Sequence, residues 1–71
     1  MTIELGRCLL NERLIDAGMT LAELSAALRT KPERLVDYMD DKRIMPLKAA
    51  ISIAGALGCD IKSLYEIITM D

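Results

Sequence analysis

Few side chains in this 71-residue sequence can do covalent chemistry, and none stands beside a group that would activate it. There is no histidine, so the common general base at neutral pH is missing. Ser25, Ser52 and Ser63 have no evident activator. Asp40 and Asp41 are paired carboxylates, but they open a polar run with Lys42 and Arg43 that reads as an exposed loop, with no cleft implied. Cys8 and Cys59 lie 51 positions apart without CxxC spacing, so reduced, buried thiols are expected rather than a metal site. The expectation is therefore no enzyme, no catalytic residue, no metal and no cofactor. What remains is recognition by charged and hydrogen-bonding groups, concentrated between Arg29 and Arg43. Five basic residues there (Arg29, Lys31, Arg34, Lys42, Arg43) face four acidic ones (Glu33, Asp37, Asp40, Asp41), a balance of +1.

The elements that must hold these residues read as helices. Apolar residues make up 52% of the chain and aromatics only 3%, so the core must be aliphatic, and Leu, Ala, Glu, Lys and Arg favour helix outside a few breaks. Leu10, Leu14 and Ala17, widened by Leu5 and Leu9, predict a first amphipathic helix from about Ile3 to Asp16, closed by Gly18. Thr20 and Glu23 form a T-x-x-E capping box ahead of a short helix over 21–28. Thr30 and Glu33 repeat that spacing, with Pro32 in the first turn, and predict a third helix over about 31–39 that carries Leu35 and Tyr38 inward. Two helices this close must meet at a sharp angle, as in a helix-turn-helix. Pro46 opens a fourth helix with Leu47, Ile51, Ala54 and Leu57 at helical spacing, and Gly58 closes it. Asp60 predicts a fifth helix through Ile61, Leu64, Tyr65 and Ile68, with Met70 and Asp71 as a frayed end.

The expected fold is all-α: five short helices in one helix-turn-helix domain over residues 1–71. The longest nearly apolar stretch, Ala49 to Cys59, is too short to span a bilayer. Glu4 and Arg7 interrupt any secretory signal. A cytoplasmic protein with no membrane partner is expected.

The ordered set Gly18-Met19-Thr20, Ala22-Glu23-Leu24-Ser25, Leu35, Tyr38, Lys42-Arg43 and Ile53-Ala54-Gly55-Ala56-Leu57-Gly58-Cys59-Asp60, with Leu64, resembles the phage repressor and Cro (XRE-type) helix-turn-helix family. The match spans about residues 5 to 65 without a gap. It implies a lambda-repressor-like bundle whose third helix enters the major groove while the first turn of helix two and the loop after helix three hold phosphates. Carried over by position, Lys31, Pro32, Glu33, Arg34 and Asp37 face outward, and the backbone at Thr20 and Leu21 with the side chains of Lys42 and Arg43 reach phosphates. Lys31 or Arg34 suits guanine O6 and N7, whereas Glu33 or Asp37 accepts from cytosine N4. The family commonly has Gln at the start of helix two and Gly at two turns, where this sequence has Leu21, Arg29 and Asp41.

Two functions follow from these residues. In the first, a transcriptional regulator binds operator DNA as a dimer through helix three, with Tyr65, Ile67, Ile68 and Met70 as dimer contacts because one small helix cannot bury them all. In the second, the scaffold is a protein-interaction module that binds and modulates a repressor or other regulator through its acidic residues. Leu21, Val36, Met39, Ile44 and Met45 bear on that choice: a shared exposed patch marks a protein partner, and burial under helix four makes them core.

Overall fold

The computed structural model describes residues 2–70. Within them run β1 (Thr2–Cys8), α1 (Leu10–Ala17), α2 (Leu21–Leu28), α3 (Pro32–Met39), α4 (Leu47–Leu57), a single 3-10 turn (Ile61–Ser63) and β2 (Tyr65–Met70). Four helices and a two-stranded antiparallel sheet replace the expected all-α bundle of five.

Both corrections fall at the chain ends, where the segments read as the start of helix one and as helix five pair with each other. Thr2 opposes Met70, Ile3 opposes Thr69, Glu4 opposes Ile68 and Leu5 opposes Ile67. The strands lie some sixty residues apart in sequence, so no local pattern announces the pairing. Residues 65–70 are nevertheless rich in the β-branched and aromatic types that suit a pleated surface. Between Leu5 and Cys8 the register shifts, and Gly6 and Arg7 together face Glu66 across a bulge. Glycine is required here, because a Cβ on Gly6 would lie 2.9 Å from that of Glu66. The Arg7 N–H donates to Glu66 Oε1 at 3.0 Å, which occupies a donor that the shifted ladder leaves over. Asp71, expected to fray, lies outside the described residues.

Inside the ribbon the helices follow their sequence signals closely. Gly18 and Gly58 close α1 and α4 in the left-handed conformation. Thr20 Oγ1 accepts the Glu23 N–H at 3.1 Å and Glu23 Oε1 accepts the Thr20 N–H at 2.9 Å, so the first capping box forms. The second does not. The N-cap of α3 is Lys31 rather than Thr30, so Glu33 stands one position too early to reach back, and the Thr30 hydroxyl donates to the Leu28 carbonyl instead.

The core is aliphatic as expected, with Leu10, Leu24, Leu35, Ile53 and Leu64 almost wholly enclosed and Cys8, Leu14, Tyr38, Met45, Ala50 and Ala54 around them. Helix α4 turns Ala50, Ile53 and Ala54 inward, so Leu47 and Ile51, which share helical spacing with Ala54, stand 71% and 57% exposed. Met45 is core, and Leu21 and Met39 pack half-buried against it. Only Val36 and Ile44 of that group stay exposed, at 36% and 69%.

Three hydrogen bonds fasten the base of the ribbon to the helices. Cys8 N–H donates to Asp41 Oδ1 at 3.0 Å, Met45 N–H to the Tyr65 hydroxyl oxygen at 3.1 Å, and Leu9 N–H to the Leu64 carbonyl at 2.7 Å. Asp41 holds its bond from a left-handed backbone at φ 58°, which costs an L residue about 1–2 kcal/mol. Replacing Asp41 by Ala should leave the partly buried Cys8 amide without its acceptor and keep the strain, lowering stability by about 1–2 kcal/mol. Asp41→Asn, which tolerates that backbone and can still accept, should lose far less; denaturant melts of both variants check the order. The capping bonds hold Glu23 below its ordinary carboxylate value of 4.5. Because the folded value is depressed, this stabilisation is full above pH 4.5 and fades as pH falls through the lower folded value. Glu23→Gln keeps an acceptor that does not titrate, so acid melts should show a shallower loss for that variant.

Candidate nucleic-acid interface

The surface expected to meet DNA is built on α2, the turn 29–31, α3 and the loop 40–46. Arg29 makes the turn in a left-handed conformation, φ 53°, at a position that glycine would fill more cheaply. From there Leu35 and Tyr38 anchor α3 by burial. The helical period then fixes the rest: Glu33, Val36 and Asp37 lie opposite that anchor, and Arg34, one turn before Tyr38, lies on the flank. The side of α3 opposite the anchor thus carries two carboxylates and a valine. Its cations stand at the edges.

Of the residues singled out beforehand, Lys31, Glu33, Arg34, Lys42 and Arg43 are exposed and Asp37 is half-buried. Arg43 Nε lies 3.6 Å from Asp37 Oδ2, so one expected phosphate ligand is already paired with an expected base reader. Among the described residues no acidic group lies within ion-pair distance of Arg29, Lys31, Arg34 or Lys42. At the start of α2, Thr20 gives its N–H and one hydroxyl lone pair to the capping box, which leaves its O–H free to donate. The first-turn N–H groups of Leu21 and Ala22 are further donors there, while the Leu21 side chain packs on the core.

The expected dimer residues sit in β2 rather than on a helix. Ile67, Ile68 and Met70 are exposed; Tyr65 is half-buried, and burial pushes its hydroxyl above the ordinary tyrosine value. Pairing places Ile3, Leu5, Ile67 and Thr69 on one face of the ribbon and Thr2, Glu4, Ile68 and Met70 on the other. The first face runs on into a groove of about 300 Å³ lined by Met45, Leu47, Ala50 and Ile61.

Two features escaped the sequence reading. Asp41, taken as loop polarity, is the acceptor that ties the loop to β1; the signal was its place where a glycine is common. Lys48 shares a cleft with Arg34, and nothing local marks it, because α3 and α4 border one cleft only through their common packing on α2.

Among the described residues no helix is long and apolar enough to cross a membrane. No protein-family model matches the chain. It is 35% identical over 65 residues to the SPbeta prophage-derived HTH-type transcriptional regulator YopS of Bacillus subtilis (strain 168), across 90% of this chain and 88% of that protein. With the two capped helices, the intervening turn and a relative matched along nearly its whole length, this chain belongs to the helix-turn-helix-type transcriptional regulators.

Proposed function

We propose that the chain regulates transcription by binding operator DNA as a homodimer in the manner of the Cro and repressor proteins, with α3 laid in the major groove. The observation that carries this reading is the exposed α3 bordered by Arg29, Lys31, Arg34 and Lys42, cations with no acidic partner among the described residues. Such groups neutralise phosphates and release counterions, the main source of affinity for a duplex. Glu33 and Asp37 accept from cytosine N4, and Val36 offers an apolar contact to a thymine methyl. The nearly neutral balance keeps a single copy weak, which makes the second half-site essential.

The ribbon supplies the means of pairing two copies. A two-stranded ribbon is marginal in water by itself, and this one exposes Ile3, Leu5, Ile67, Ile68 and Met70. The outer edge of β1 is broken by the bulge, whereas β2 carries only Glu66 as a charge. Antiparallel pairing of β2 with β2 of a second copy would give a four-stranded sheet about a two-fold axis and set the apolar side chains of the two ribbons beside one another. Half-sites about 34 Å apart then follow from the symmetry.

A second reading rests on the Asp37 to Arg43 pair and the acidic outer stripe of α3. That face suits a basic protein surface, and the chain would then modulate another regulator through it.

Fluorescence polarisation on operator-length duplex at low salt tests the first reading. Arg34→Ala and Lys42→Ala should each weaken binding roughly fivefold to tenfold and reduce the salt slope by about 1. If neither changes affinity, α3 and its loop are not the DNA surface and the protein-partner reading takes over. In sedimentation, Ile67→Glu should shift a concentration-dependent dimer to monomer without unfolding it, since a carboxylate at this exposed position is tolerated in a single copy but meets the like charge of its symmetry mate when two copies pair. An unchanged dimer would place the interface elsewhere.

A further inference from the structure

Between the end of α2, α3 and the first half of α4 lies an open cleft of about 590 Å³, within the range of small-molecule sites. Its floor is apolar, formed by Leu28, Leu35 and Ile53. Arg34 borders it from α3 and Lys48 from α4, and no acidic residue lines it. Neither cation has an ion-pair partner among the described residues. The Ser52 hydroxyl, also in the lining, donates to the Lys48 carbonyl at 3.0 Å, which leaves its lone pairs facing outward and the two cations as the charged donors. The cleft thus asks for an anionic head on an apolar body. A bare phosphate satisfies the cations but leaves the floor wet.

We propose that this cleft binds a small carboxylate with an apolar tail, its head between Arg34 and Lys48 and its tail over Leu35 and Ile53, and that occupancy withdraws Arg34 from DNA. Binding stands on the cleft alone; the competition rests on the DNA-binding reading. The ligand is then an effector: it releases the regulator by taking one of the few unpaired cations bordering α3.

The test is a ¹⁵N NMR titration of the full chain with hexanoate, with hexylamine and inorganic phosphate as parallel probes. Hexanoate should give saturable shifts confined to α3, α4 and the turn, with a Kd on the order of 1 mM, as a ligand of about eight heavy atoms allows. Arg34→Ala and Lys48→Ala, both exposed and so expected to fold, should each weaken it about fivefold. Hexylamine should not bind. The site is overturned if hexanoate fails to saturate at about tenfold that concentration, if hexylamine binds as well, or if both variants bind unchanged. Phosphate binding as tightly as hexanoate would overturn the role of the apolar floor. In a separate polarisation assay hexanoate should weaken DNA binding by wild type; hexanoate binding with unaltered DNA affinity overturns the competition and leaves the site standing.

Discussion

A partly buried backbone amide must find an acceptor, and the amide of Cys8 finds it thirty-three positions away in the carboxylate of Asp41. That bond sits where the ribbon leaves the helices, next to the Tyr65 hydroxyl on Met45 and the Leu9 to Leu64 backbone bond. Remove the constraint and little defines the angle of the ribbon, because Cys8 alone of its described residues is buried, while Leu5, Tyr65 and Ile67 reach the helices along one open groove. The same residue terminates α3: Asp41 N–H donates to the Tyr38 carbonyl from a left-handed backbone. One residue therefore sets both the exit of the proposed reading helix, through its backbone, and the mounting of the proposed dimer arm, through its carboxylate. A movement of one would be felt at the other.

The core that supports this junction is small. In a chain of 71 residues a large fraction of the apolar surface stays wet, and here much of it lies on the ribbon and on Leu47 and Ile51, with Ile15, Val36 and Ile44 standing apart. Large exposed aliphatic faces on a small chain signal that something covers them. The proposed self-pairing along β2 would set the aliphatic side chains of two ribbons side by side.

Electrostatics set the character of the regulator more than its fold does. A net charge of −2 gives no general attraction to a polyanion, so affinity must come from a few placed cations. Arg43 is partly spent on Asp37. Those that remain are few enough that each matters, and Arg34, which also borders the cleft beside α4, is the one whose engagement most readily changes the surface offered to DNA.

The sequence by itself determined the middle of this protein. Gly18, the Thr20 and Glu23 box, Pro32, Pro46 and Gly58 act within one or two turns of where they stand, so α2, α3 and α4, with the closing turn of α1, were legible from spacing, as was the inward role of Leu35 and Tyr38. The cations between Lys31 and Arg43 were legible as types, since charge is a property of the residue. Tertiary structure alone decided the ends. Residues 2–8 and 65–70 carry apolar patterns that a short helix could also bury, and only their meeting across the whole chain makes them strands. It also decided which cations are free, because Asp37 reaches Arg43 only once the loop folds back, and it brought Lys48 and Arg34 to one cleft by packing α3 and α4 on α2. Local signals act over a few bonds, whereas strand partners, ion pairs and clefts depend on which distant segments the core brings together.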